Sequence, residues 1–146
     1  MRELNKIIIH CSATPEGRDV KADEIKQWHK DRGWSDIGYH FVIELDGTIR
    51  DGRPVERSGA HAKGHNKDSI GICYVGGVDE NGKAKDTRTD EQISNLLDLV
   101  LDLRQTYGEL SVHGHNEFSS KECPSFDVQL EFANIEALLD ERSRSI

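Results

Sequence analysis

The run Ile7-Ile8-Ile9, led in by Lys6 and followed by His10-Cys11, constrains the fold more than any other segment of the chain. Consecutive β-branched residues are stiff at χ1 and pack well on a pleated surface. A short unbroken run of them with a polar stop suits a buried strand at a central sheet position. Residues 69–75, Ser-Ile-Gly-Ile-Cys-Tyr-Val, supply a second apolar strand that Gly76-Gly77 breaks. Buried strands need covering, and the helical periods provide it. Ile25, Trp28 and His29 recur at three and four within residues 22–32, ahead of Gly33 as a stop. Thr89-Asp90-Glu91-Gln92 has the capping-box pattern, with Ile93, Leu96, Leu97 and Val100 as the buried stripe of a helix reaching about residue 105. Residues 39–45 and 48–50 flank Asp46-Gly47 and predict an antiparallel hairpin. Residues 110–113 form a short strand, and 127–141 a closing helix with Val128, Leu130, Phe132, Ile135 and Leu139 available for burial. The order β, α, β, β, β, α, β, α predicts an α/β fold: one domain over 1–146, with a mixed central β-sheet flanked by helices.

Composition narrows the function. At 146 residues, 35% hydrophobic and 32% charged, the chain is of ordinary single-domain size and globular character. Its apolar runs are too short to cross a bilayer, so no membrane insertion is expected. Nothing at Met1-Arg2-Glu3-Leu4-Asn5-Lys6 reads as a secretory signal, which predicts cytoplasmic synthesis. A formal charge of −8 without a cluster of Lys and Arg argues against a nucleic-acid partner. Three widely spaced cysteines do not read as a disulfide framework. Cys11 and Cys73 sit in apolar strands as buried thiols, whereas Cys123 precedes Pro124 in a polar loop.

That loop carries the chemistry. Residues 115–124 read His-Asn-Glu-Phe-Ser-Ser-Lys-Glu-Cys-Pro, and His10 stands at the end of the first strand. Imidazole and thiolate hold zinc, and three protein ligands leave its fourth position for a reacting water. Strand ends in open α/β sheets are common ligand sites, which favours a meeting of these residues. Spacing leaves the choice between His113 and His115 open, because residues two apart share a strand face. Beside a metal, Lys121 would stabilise negative charge on a carbonyl oxygen, and the Tyr39 phenol would hydrogen-bond the water or the tetrahedral intermediate. The plain alternatives are a solvated cation and a packed ring.

Several separated segments then agree with one family. They are Ile-Ile-His-Cys-Ser-Ala-Thr at 8–14, Trp-His-Lys-Asp-Arg-Gly-Trp at 28–34 and Ile-Gly-Tyr-His-Phe-Val-Ile at 37–43. Gly-Ala-His-Ala-Lys-Gly-His-Asn at 59–66, Ser-Ile-Gly-Ile-Cys at 69–73, His-Asn-Glu at 115–117 and Lys-Glu-Cys-Pro-Ser-Phe-Asp at 121–127 complete the set. In this order they resemble the zinc-dependent N-acetylmuramoyl-L-alanine amidases of type 2, the family that includes the peptidoglycan recognition proteins. Within it the chain is most similar to the amidase-type phage lysozymes, or endolysins.

The resemblance implies one Zn²⁺ held by His10, His115 and Cys123, with Tyr39 and Lys121 as catalytic groups and His61 and Asn66 in contact with substrate. His113 reverts to an ordinary strand residue, and His29 and His40 match buried scaffold positions; both, with the exposed-looking His65, stay outside the site. The implied reaction is hydrolysis of the amide between the lactyl group of N-acetylmuramic acid and the L-alanine of the stem peptide. Peptidoglycan is then the partner, met by a monomer through its own groove, after release by a separate pore or secretion route. One phage relative also inhibits its RNA polymerase, partly through the region before the first strand; the few residues ahead of His10 argue against that contact. A recognition module that binds without cutting is the main rival, and Cys123 argues against it.

Overall fold

The apolar run becomes β1 (Lys6–Cys11), followed by a two-residue strand β2 (Thr14–Pro15) and helix α1 (Ala22–Asp31). The hairpin is β3 (Phe41–Ile43) and β4 (Ile49–Asp51), the second apolar run is β5 (Ser69–Tyr74), and β6 (Gly77–Val78) follows it. Helix α2 (Asp90–Tyr107), strand β7 (Ser111–Gly114), a 3-10 turn (His115–Glu117) and helices α3 (Val128–Glu131) and α4 (Ile135–Arg144) complete a computed structural model that describes residues 1–144.

The main sheet has the order β4-β3-β5-β1-β7. β1 pairs in parallel with β5 from Lys6↔Ser69 to Cys11↔Tyr74, and with β7 from Lys6↔Ser111 to Ile9↔Gly114. β3 runs parallel to β5 on its far side, and β4 closes that edge antiparallel to β3, so the sheet is mixed as expected. Ile7, Ile8 and Ile9 are fully buried. One sheet face packs with Leu96, Val100 and Leu103 of α2 and Ile135 of α4, and the other with Ile25 of α1, Val20 and Ile37. Each buried isoleucine contributes about 1.5–3 kcal/mol of apolar transfer.

Two buried polar side chains hold the helices to the sheet. Lys21 gives α1 no side-chain cap, and the buried Glu44 carboxylate instead accepts from Ala22 N at 2.9 Å, where the helix N-terminus is electropositive. The predicted capping box of α2 is present, with Thr89 Oγ1 accepting from Gln92 N and Gln92 Oε1 from Thr89 N. The Gln92 amide also donates to the carbonyls of Ile43, Glu44 and Val75. Gln92 thereby takes the inward position of the first turn, in phase with Leu96, Val100 and Leu103, and Ile93 turns outward to 39% exposure.

The closing helix also departs from expectation. It divides at Phe132 into α3 and α4, and Leu130 lies 76% exposed, because Val128, Phe132 and Ile135 take the inward face four and three residues apart. β2 and β6, paired Thr14↔Gly77 and Pro15↔Val78, are too short to carry a period. Helix α3 is tied down by Arg88, whose side chain is 2% exposed, with its guanidinium 3.5 Å from the Phe126 ring centroid. Arg88 pairs with Asp86 at 2.9 Å and Glu131 at 2.6 Å, and both carboxylates keep some solvent contact. Arg88→Ala therefore loses ring packing and pairing without leaving a buried orphan charge, an expected cost of about 2–3 kcal/mol by urea unfolding. An unchanged urea midpoint would assign Arg88 no anchoring role.

Candidate metal centre

The parallel register of β1 and β7 ends at Ile9↔Gly114, so His10, still within β1, and His115, the first residue past β7, stand side by side. His10 is buried, and the ring centroids of His10 and His115 lie 4.5 Å apart. Gly114 ends the strand: its N–H donates to Glu117 Oε2 at 2.7 Å and the chain turns into the 3-10 segment, redirecting His115. His113 faces elsewhere, with Nδ1 2.8 Å from Glu117 Oε1 and Nε2 2.8 Å from Ser111 Oγ. From the opposite loop, Cys123 Sγ accepts from Cys11 N at 3.1 Å. One donor atom each from His10, His115 and Cys123 lies within 4.8 Å of the other two.

Electrostatics keep both imidazoles available as lone-pair donors. Burial holds His10 well below its ordinary value, helped by His61, His115 and Lys121, and burial together with Lys121 lowers His115. Cys123 Sγ accepts from Cys11 N at 3.1 Å and donates to Cys11 O at 3.8 Å, which brings the Cys11 and Cys123 thiols close enough that ionisation of either opposes that of the other. Only one of this pair ionises easily, and a cation among the three donors would place that charge on Cys123. Two neutral nitrogens and one thiolate at this spacing fit a single ion with zinc-type bonds of about 2.0–2.3 Å.

The other predicted residues divide between groove and support. Tyr39 has its ring centroid 5.1 Å from that of His10. Burial, with the Cys73, Cys123 and Cys11 thiols around it, pushes its phenol well above 10, so at neutral pH it donates a proton in a hydrogen bond rather than abstracting one. Exposed Lys121 lines the same groove. His61 is buried against His10, with His61 Nδ1 2.8 Å from His10 Nε2. Asn66 turns its Oδ1 onto the N–H groups of His61 and Ala62, at 2.8 and 2.9 Å, and closes the loop on itself. His29 and His40 are buried acceptors for Gly38 N and Gly71 N. His65 is half-buried, its ring 4.2 Å from that of Phe118.

The contact of His61 with His10 escapes a reading by spacing, yet the strand carried a signal for it. Gly71 lies inside β5, and a Cβ there would stand 2.6 Å from the His61 ring; a glycine in a strand interior often marks such a close approach. The groove over the site has a volume of about 680 Å³ and includes Trp28, Arg32, Trp34 and Lys63. Among the described residues that line it there is no carboxylate, although the chain has 27 acidic residues against 19 Lys and Arg.

Fold and site together define a mixed α/β domain with a His-His-Cys cluster suited to a metal ion at the carboxyl ends of parallel strands. Residues 1–126 match the family model described as N-acetylmuramoyl-L-alanine amidase. The endolysin of Enterobacteria phage K11 is 44% identical over 128 residues, 88% of this chain and 85% of the relative. That of Escherichia phage T7 is 46% identical over 123 residues, 84% and 82% of the two chains. The solved N-acetylmuramoyl-L-alanine amidase LysC from Clostridium intestinale superposes with a TM-score of 0.79 at 30% identity, covering 94% of this chain and 87% of its own. The chain belongs to the N-acetylmuramoyl-L-alanine amidase family and is an enzyme of that class.

Proposed function

We propose that the single domain 1–146 is a zinc amidase of the endolysin type, which cuts the bond between N-acetylmuramic acid and the L-alanine of the stem peptide. The observation that carries this reading is the convergence of His10, His115 and Cys123 at a groove free of carboxylates, in a chain of this family. Those three residues would hold the ion. When bound, zinc supplies Lewis-acid polarisation of the scissile carbonyl and a lower pKa for the attacking water.

The chain's own groups do the rest. Lys121 brings its ammonium to the rim, where it stabilises the oxyanion that develops as the carbonyl becomes tetrahedral. Tyr39, held protonated, donates a hydrogen bond to the water or to the same oxygen and keeps the reacting atoms in line. Trp28 and Trp34 offer apolar walls, and Arg32 and Lys63 offer positive charge to the carboxylates of a stem peptide. His61 and Asn66 serve the site by shaping its wall. Such a site works as one chain on peptidoglycan and needs neither nucleic acid nor a polymerase. No described helix is long and apolar enough to cross a membrane, so a separate route would bring the enzyme to the wall.

Purified zinc-loaded protein incubated with sacculi is expected to release free stem peptides, identified by mass spectrometry. Retention on the sacculi without any released peptide would instead support the recognition-only reading. Lys121→Ala is expected to lower kcat on a muropeptide by about 10²–10³ while zinc content stays at the wild-type level, the usual cost of one lost oxyanion donor. A kcat within threefold of wild type would remove Lys121 from the reaction.

A further inference from the structure

Ser69, His61 and His10 form a directed chain of hydrogen bonds that ends at the candidate metal centre. Ser69 Oγ lies 2.6 Å from the carbonyl oxygen of His65, which can only accept, so the hydroxyl proton is committed to that bond. Ser69 Oγ also lies 3.2 Å from His61 Nε2, and with its proton spent it accepts there. The His61 proton is therefore on Nε2, leaving Nδ1 bare. Nδ1 stands 2.8 Å from His10 Nε2 and must accept from it. The His10 proton is then on Nε2, and the lone pair of His10 is on Nδ1.

We infer that His61 is a positioning residue which, backed by Ser69, fixes the tautomer of His10 and presents its Nδ1 as the ligating nitrogen. The inference rests on the reading of His10 as a metal ligand. The surroundings of His61 are built to hold it in this orientation. A Cβ at Gly71 would stand 2.6 Å from its ring and one at Gly59 2.7 Å, so both glycines make room for the imidazole. Asn66 fixes the His61 backbone N–H at 2.8 Å. The Arg2 guanidinium ties the same loop down through the carbonyls of Val55, Asn66, Lys67 and Ser69. A ligating imidazole whose second nitrogen is held by a fixed acceptor does not lose affinity to the wrong tautomer or to ring rotation, and such partners typically matter by about 10–100-fold in metal binding.

The test combines zinc affinity with a tautomer readout. In ¹⁵N NMR of the zinc-loaded protein, His61 is expected to carry its proton on Nε2 and His10 its proton on Nε2; a proton on His61 Nδ1 would overturn the inference. Zinc dissociation constants, measured against a chromophoric chelator, are expected to rise about 10–100-fold in His61→Leu, which keeps bulk but has no acceptor. His61→Asn places an amide oxygen where Nδ1 was and is expected to restore binding to within about threefold of wild type. Equal losses in both variants, or none in either, would contradict a positioning role. Should His61→Leu not fold, Ser69→Ala serves instead: the His61 proton is expected to redistribute between its nitrogens, and an unchanged pattern counts against the chain. Wild-type protein that binds no zinc would remove the metal reading itself, a result distinct from a wild type that binds zinc with the proton on the wrong nitrogen.

Discussion

Replacing Cys123 with serine is expected to strip the metal from the protein and remove essentially all turnover, while leaving the fold in place. The effect is chemical rather than steric. A serine hydroxyl stays protonated near neutrality and is a poor ligand where a thiolate binds tightly. Its Oγ can still accept from Cys11 N, the contact that Cys123 Sγ makes at 3.1 Å, so the loop retains its anchor. Zinc content after dialysis should fall from about one ion per chain to near zero, and kcat by about 10³ or more, as expected when a metal supplies both polarisation and the nucleophile. Thermal midpoints of the two metal-free proteins should agree within a few degrees. Cys11→Ser is the contrast, because its thiol is not among the three converging donors; it should keep its zinc. A Cys123→Ser protein with wild-type zinc content would remove Cys123 from the ligand set.

Acidification from pH 7 to pH 5 is expected to destabilise the protein steeply, before most carboxylates titrate. Burial, with Arg32 and Arg53 nearby, holds His29 down at about 4. Burial also holds His40 at about 4, with Arg2 and Arg53 adding to it and the Arg57 carbonyl opposing. Both rings are committed as neutral acceptors, for Gly38 N at 2.9 Å and Gly71 N at 3.0 Å. Unfolded, each would titrate near 6.5. Between pH 6.5 and about 4 the unfolded chain therefore binds protons that the folded chain refuses, and stability falls as the pH falls. At pH 5 the difference is roughly two protons, a slope of about 2–3 kcal/mol per pH unit. Calorimetry at half-unit steps should show the midpoint dropping throughout this range. A flat midpoint from pH 7 to 5 would mean that these histidines are already charged in the folded protein.

The fold was legible where one local signal dominated. The β-branched run at 7–9, the Asp46-Gly47 turn and the Thr89 capping box each specify their element without help from distant residues. Leu130 and Ile93 are apolar yet face outward, because apolar character alone does not set the phase of a helix. In α2 the polar Gln92 takes the inward position since its amide meets three backbone carbonyls there, and no periodicity of apolar residues can announce that.

The site divides in the same way. Residue types and strand ends pointed to a His and Cys cluster, but the choice of His115 over His113 came from family likeness. Its physical origin is the turn after Gly114, which gives His113 to Glu117 and sends His115 toward His10. The partnership of His61 with His10 joins residues 51 positions apart, and it depends on the pairing of β1 with β5 together with the loop that folds His61 back over Gly71.

The most direct measurement is zinc stoichiometry together with product identification on one defined muropeptide. The proposal predicts about one zinc per chain and two products, the intact lactyl-muramic acid glycan and a stem peptide with a free L-alanine amine, each vanishing in the Cys123→Ser protein. Cleavage at any other bond, or release of the same products by protein freed of zinc, would contradict it.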